Sequence, residues 1–469
     1  MAPPDGRGGA PEGGAGRAAR PGPSLLRALR HRNYQLFFAG QLVSLVGTWM
    51  QSVAQSWLVY RLTGSSLLLG TVGFATQIPV FLLAPIGGAV ADRRQRHRIL
   101  VATQSSAMVL ALGLAALTLS GHVVVWHILA FGVLLGAVNA FDIPARQSFV
   151  VEMVGREDLA NAIALNSSMF NGARIIGPAV AGILVGAIGE AWCFLANGVS
   201  FLAVIASLLA MHVPPRPPPA GERGSALAAT AEGFRFVART GAIRALLVLL
   251  GVVSVTAMPY AVLMPIFADR ILGGGAQGLG TLMGASGVGA LLGALVLASR
   301  KRLRGLGAWV AAACAGFGAA LILFALSRTF WLSALLLVPV GFSMMVQMAG
   351  SNTLVQAMVP DALRGRVMAV YAMMFMGMAP LGALLAGTLA DRIGAPATVA
   401  SGGACCIVAA AVFARRLPSL RQQARELIIA QQMAAGTPAE QLTQAVAVAG
   451  EEAAEETGAA AGPEAARPA

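Results

Sequence analysis

Apolar residues in this chain run on for about 20 positions or more at a time, and they do so twelve times. The runs fall at about 35–60, 66–90, 98–120, 123–145, 162–188 and 190–212, then at about 243–267, 277–299, 306–327, 330–356, 367–390 and 395–414. Each is long enough to cross the hydrocarbon core of a bilayer as a helix, which takes about 20 residues. None alternates with the period of two that a membrane barrel strand needs. Gly and Pro recur within the runs, as membrane helices tolerate. Three polar stretches interrupt the pattern: 1–32, rich in Gly, Pro and Arg; 213–242, with Pro214, Pro215, Pro217, Pro218 and Pro219; and 416–469, rich in Ala, Gln and Glu. Residues 1–32 contain no apolar core of the kind a cleaved signal peptide carries. The pattern predicts an all-α integral membrane protein, with twelve transmembrane helices in two pseudo-symmetric six-helix bundles. The expected division is a disordered N-tail at 1–32, a bundle at 33–212, a linker at 213–242, a second bundle at 243–415 and a C-tail at 416–469. Within the tail, 420–433 reads as a surface helix.

Composition removes the soluble alternatives. Of the 469 residues 57% are hydrophobic and 11% charged, whereas a soluble domain carries about 25% charged residues. A soluble enzyme is excluded, and so is disorder for most of the chain. Charge then sets the expected orientation. All 33 basic residues are Arg except Lys301. With a cytoplasmic N-terminus, 28 of them fall on the cytoplasmic side and four (Arg61, Arg270, Arg328, Arg392) outside, while Arg174 lies within a span. This is the positive-inside bias of a multi-pass protein of the inner (plasma) membrane with both termini cytoplasmic. The net charge of +13 is therefore topological. The acidic end of the C-tail (Glu451, Glu452, Glu455, Glu456) argues further against a nucleic-acid partner.

The halves also repeat. A shift of 210 aligns Leu69-Gly70-Thr71 with Leu279-Gly280-Thr281, and a shift of 205 matches Gly177, Gly182, Ile188 and Gly189 to Gly382, Gly387, Ile393 and Gly394. Repeated halves of membrane helices point to transport by alternating access, with the site between the halves.

Polar side chains inside spans are costly unless they face protein or water. In the first span Gln41, Ser44, Thr48, Gln51, Ser52 and Gln55 share one helical face. Asn139, Asp142 and Arg146 do the same in the fourth span, and Ser343, Gln347 and Ser351 in the tenth. Two readings stand: hydrogen bonds between helices, or the wall of a wet cavity, for which Trp49, Gln51, Gln55, Asn139 and Gln347 are the candidates. Asp142 has two readings as well. A carboxylate at a partly dry position has a raised pKa and can carry protons; alternatively it pins its helix through Arg146. Arg174 remains charged in any protein setting and reads as a fixed structural or substrate-orienting cation. Nine of the 19 methionines lie between Met344 and Met378, suiting either gap-filling or an adaptable apolar site.

Some chemistry is excluded. A phosphate-binding P-loop needs Lys after Gly, and the single lysine follows Arg300. The four cysteines and five histidines show no ligand spacing, so no metal and no cofactor is expected.

Two motifs connect the chain to a family. Gly88-Ala-Val-Ala-Asp92-Arg93-Arg94-Gln95-Arg96 joins the second and third spans and resembles the G-x-x-x-D-[RK]-x-G-[RK] signature of the major facilitator superfamily, with Gln95 at the second glycine. Gly172-Ala-Arg174-Ile-Ile-Gly177-Pro178-Ala-Val-Ala-Gly182 resembles the fifth-helix antiporter signature, with Ala181 where that signature has a glycine. Arg32-Asn33-Tyr34, Gly47-Thr48-Trp49-Met50-Gln51, Trp57-Leu58-Val59-Tyr60 and Phe141-Asp142-Ile143-Pro144-Ala145-Arg146-Gln147 are similar to the bacterial branch of macrolide- and siderophore-exporter-like proteins, over about 30–416. The resemblance implies that spans one, four, seven and ten line a central cavity, and that Gly88, Asp92, Arg93 and Arg96 form a gating loop. It implies proton-antiport export of amphiphilic small molecules by a monomer, with Asp142 as the coupling candidate. Solute uptake or facilitated diffusion, lysophospholipid flipping, and a non-transporting scaffold or sensor are the alternatives.

Overall fold

The computed structural model describes residues 26–155, 157–213, 226–300 and 305–434. Expectations for the rest of the two tails, for 214–225 and for the Lys301–Arg304 stretch lie outside the described residues. Twelve helices are long and apolar enough to cross a membrane: α1 (Arg32–Thr63), α2 (Ser66–Arg93), α3 (Arg96–Leu119), α4 (Val125–Val154), α5 (Leu159–Ile188), α6 (Glu190–Leu209), α7 (Gly241–Ile271), α8 (Gly275–Ser299), α9 (Leu306–Leu326), α10 (Phe330–Met358), α11 (Ala362–Ile393) and α12, which starts at Ala395. No strand occurs among the described residues. In hydrocarbon every backbone N–H and C=O must find its partner within the segment, which a helix provides. Leu82, Ile183 and Leu335 are each more than 60% exposed, an arrangement suited to lipid rather than water.

Turn chemistry sets the helix ends. Gly64 closes α1 in the left-handed region (φ 61°), and its N–H bonds the Tyr60 carbonyl; glycine takes this conformation without a Cβ penalty. The Ser65 hydroxyl then caps α2 by accepting from the Leu68 N–H.

The repeat seen in sequence is a repeat in packing. Gly136 of α4 lies against the Thr76 carbonyl of α2, and Gly341 of α10 lies against the Ser286 carbonyl of α8. Trp126 and Trp331, both strongly exposed, open α4 and α10 at the level of a membrane interface, where tryptophan is enriched. The halves meet through α2 with α11 and α5 with α8. These two seams are also related by the repeat: a methyl at Gly70 would lie 2.9 Å from Gly387 Cα, and one at Gly280 would lie 2.8 Å from Gly182 Cα.

These seams are at one end of the molecule, here the far end; the opposite, basic end carries Arg32, Arg93, Arg98 and Arg146. At the far end one apolar core runs through both halves, from Leu58, Leu69 and Phe194 to Phe267, Leu279 and Leu282. At the basic end the first half has a core of its own, built on Tyr34, Phe37, Leu100 and Phe149. The Tyr60 hydroxyl adds a far-end link between halves, donating to Asp269 at 2.7 Å.

Three expectations need correction at their edges. The N-tail was expected to be disordered through residue 32, but 26–32 is ordered. Arg27 pairs with Asp158, His31 Nε2 lies 2.8 Å from the same carboxylate, and the Ala28 N–H donates to Asn161 Oδ1 at 2.8 Å. Partners on the α4–α5 turn and at the start of α5 hold this segment down. Within the linker, Ala226–Arg239 is a helix whose Glu232 pairs with Arg366 at the start of α11. The final helix runs from Ala395 to Ala434, so it absorbs the beginning of the expected C-tail. Leu417, Leu420, Ala424 and Leu427 pack on the core and extend the helix past the membrane run.

Candidate functional site

The expected cavity residues do not share one fate. Gln51 is buried, and its side-chain oxygen accepts from Asn197 Nδ2 of α6 at 2.6 Å. It belongs to an α1–α6 hydrogen bond and not to the space between the halves. The reason is the width of the polar stripe: α6 covers one edge of it, where Gly47 lies against Asn197 and Ser200. Further round the helix, Thr48 and Ser52 are exposed and Gln55 is half-buried. Asn139 is half-buried on α4. Gln347 is almost fully buried on α10, and its Nε2 has no hydrogen-bond partner among the described residues; the same is true of the Ser351 hydroxyl.

Asp142 is 1% exposed and sits between α3 and α4. It accepts from Thr103 Oγ1 at 2.9 Å and from Gln104 Nε2 at 2.7 Å, and it pairs with Arg146. Donors on both sides satisfy a charged carboxylate and hold it inside the first bundle. This is the geometry of the pin, the second of the two sequence readings. It gives no support to Asp142 as a proton carrier facing a central cavity.

The expected gating loop is mostly helix. Gly88, Asp92 and Arg93 lie in the last turns of α2, and Arg94 and Gln95 alone separate α2 from α3. Arg96 ties this corner together: it donates to the Ala91 carbonyl, lies 3.8 Å from Asp92 and pairs with Glu152 of α4. Gly88 has open space around it, whereas Gly87 meets the Ala140 carbonyl of α4. The packing glycine is thus the neighbour of the one in the motif.

The fifth-helix motif has two functions in the packing. Gly177 seats α1, since a methyl there would lie 2.5 Å from Trp49 Cβ and 2.9 Å from the Val46 carbonyl. Pro178 and Gly182 seat α8 across the seam, through Gly280. Gly172 has open space around it.

A cluster forms at mid-height, where α1, α5, α7 and α10 converge. The Arg174 guanidinium lies 5.8 Å from the centre of the Trp49 ring and donates towards Met344 Sδ at 3.9 Å. Trp49 meets Phe170 edge-on at 5.5 Å. The buried Tyr260 of α7 bonds Ser286 of α8 at 2.7 Å, one residue before Gly287, which lies against the Arg174 carbonyl. Arg174, Trp49 and Met344 are each near the middle of their helices. Sequence reasoning singled out Arg174 and Trp49 but not Tyr260, Phe170 or Ser286. A signal for Tyr260 was present, because Pro259 and Pro265 interrupt α7 with short irregular turns around it, and interrupted membrane helices mark binding regions. The π-helical turn Met373–Gly377 in α11 is a second interruption.

No group of three or more His, Cys, Asp or Glu side chains among the described residues is placed to hold a metal.

The transmembrane secretion effector family of the major facilitator superfamily matches residues 24–448. The chain is 25% identical to the staphyloferrin A transporter of Staphylococcus aureus, over 80% of this chain and 94% of that one. It is 30% identical to the multidrug efflux pump Tap of Mycolicibacterium fortuitum, over 77% and 90%. To the enterobactin exporter EntS of Shigella boydii it is 25% identical, over 85% and 94%. In fold it resembles the nucleoside transporter NupG, with a TM-score of 0.66 at 14% identity, over 83% of this chain and 99% of that one. Twelve spanning helices in repeated halves, the α2–α3 and α5 motifs and a family match across most of the length agree: the chain belongs to the transmembrane secretion effector family of major facilitator transporters.

Proposed function

We propose that this protein is a secondary active exporter of amphiphilic, drug- or siderophore-like small molecules, working by alternating access and driven by proton antiport. The observation that carries the mechanism is the asymmetry of the seam. Both halves share one core at the far end, and their repeated glycines touch there, while the first half keeps a separate core at the basic end. With 33–212 and 243–415 as the moving units and 213–242 as their linker, this is a state closed on one side of the membrane. The arginine bias makes the basic end cytoplasmic, with both termini on that side, so the state is open to the cytoplasm, the loading state of an exporter. On α5, Ala164, Ser167, Ser168 and Phe170 are exposed on the basic-end side of Arg174, in keeping with access from there. The efflux pump and exporter among the relatives support the direction.

The experiment is uptake into inside-out vesicles with an imposed pH gradient, using ethidium, a macrolide and a siderophore, with an uncoupler control. Gradient-dependent uptake of at least one solute is expected. Uptake indifferent to the uncoupler contradicts antiport. Transfer of a fluorescent lysophospholipid in place of every solute makes the protein a flippase.

A further inference from the structure

Among the described residues no carboxylate lies within ion-pair distance of Arg174; the groups beside its guanidinium are a thioether and an indole. Four of the carboxylates within or beside the spans are engaged elsewhere: Asp142 with Arg146, Glu190 with Arg61, Glu152 with Arg96, and Asp269 with Tyr60. A guanidinium carries five N–H donors in a planar fork. Here one of them points towards a thioether sulfur, a weak acceptor, and Trp49 offers a ring face with no acceptor for the others. An unpaired charge at mid-membrane depth is costly, and in membrane proteins such residues mark the paths of substrates and ions.

The surroundings describe what would complete the site. Phe170 is 46% exposed beside Trp49, so an aromatic wall adjoins the guanidinium. On the far-end side the cluster is closed, where Gly287 of α8 lies against Ile175 and the Arg174 carbonyl. A fork of donors suits a carboxylate in bidentate contact, and the aromatic wall suits a flat apolar body. We infer that Arg174 is the anion anchor of the central site, and that the preferred cargo is an amphiphile carrying a carboxylate next to an aromatic or apolar group. This names the substrate class within the proposed export function, on which its transport consequence rests, while its binding consequence stands alone.

The test is binding in phosphatidylcholine nanodiscs, read by tryptophan-to-pyrene energy transfer, with pyrenebutyrate and its methyl ester as probes. Wild type is expected to bind the acid saturably and at least tenfold more tightly than the ester. Arg174→Gln is expected to bring that ratio close to one. Arg174→Lys, a point charge without the fork, retains a smaller preference of about threefold. If Arg174→Gln does not fold, as judged by gel filtration and thermal melting, Met344→Glu replaces it: a carboxylate beside the guanidinium fills the anchor from within and abolishes the preference for the acid. Equal binding of acid and ester by wild type, no saturable binding of the acid, or an undiminished preference in both Arg174→Gln and Met344→Glu overturns the inference. Ethidium uptake into inside-out vesicles separates the two claims. Uptake without any acid–ester discrimination keeps the exporter and removes the anchor. Discrimination without transport of any solute keeps the anchor and removes the exporter.

Discussion

Gly280→Ala is a small change at the point where the two halves touch. The added methyl would lie 2.5 Å from the Pro178 carbonyl oxygen and 2.8 Å from Gly182 Cα, whereas ordinary contact starts at 3.4 Å. Both neighbours are backbone, so no rotamer can relieve the clash and α5 and α8 must separate by close to an ångström. Overpacking of this kind costs about 1–3 kcal/mol. The cost falls only on the state whose far end is closed; once the far ends part, the contact no longer exists. An energy of about 1–3 kcal/mol corresponds to a shift of roughly 5- to 150-fold in a two-state equilibrium. Gly70→Ala, the equivalent position, meets the Ala383 carbonyl at 2.5 Å and is expected to act in the same direction. Double electron–electron resonance between spin labels at Leu119 and Leu326, both exposed and at the far ends of α3 and α9, reads the far-end opening, with the native cysteines replaced. The variant is expected to raise the long-distance population severalfold. A folded Gly280→Ala protein with an unchanged distance distribution would refute the reasoning.

Three further outcomes are expected. Asp142→Ala leaves Arg146 without its carboxylate between α3 and α4 and costs about 3–5 kcal/mol, read as a lower Tm; Asp142→Asn folds and keeps gradient-driven transport, since the carboxylate is a pin, and loss of coupling in that folded variant would count against it. Gly87→Ala destabilises the α2–α4 seam by about 1–3 kcal/mol while Gly88→Ala is nearly neutral, so equal melting temperatures would contradict the packing assigned to Gly87. Hydrogen bonds from His31 and then Arg27 hold the Asp158 carboxyl below the usual carboxylate range. A depressed folded pKa means that its stabilising contribution is complete above the unfolded value, about 3.9, and is lost as pH falls through the folded value. Amide exchange at residues 27–32 should therefore stay slow from neutral pH down to about 4 and accelerate, once corrected for intrinsic rates, only below it.

The spans were legible because twenty apolar residues in a row have few other uses. The repeated glycines were legible as a repeat, but not as the closure of one end; that needs the crossing of α2 with α11 and of α5 with α8. Gln51 was misplaced because helical periodicity assigns a residue to a face and not to the neighbour that covers it, and Asn197 is 146 residues away. Asp142 was ambiguous for the same reason. Arg146 is visible one turn on, but Thr103 and Gln104, which complete the geometry of the pin, lie 39 and 38 positions back. Tyr260 belongs to no polar stripe; its signal in the sequence is the pair of prolines, Pro259 and Pro265, that break the span.

The central claim is that transport requires the far end to open. Gly186 of α5 and Gln277 of α8 face each other across the closed seam: a methyl at Gly186 would lie 2.8 Å from Gln277 Cγ, within the reach of a disulfide. The most direct measurement is therefore ethidium uptake into inside-out vesicles by the Gly186→Cys/Gln277→Cys protein, in a background lacking native cysteines, before and after oxidation. The account predicts uptake in the reduced protein, its abolition when the pair is crosslinked, and recovery with reductant. Undiminished uptake by fully crosslinked protein would contradict alternating access through this seam.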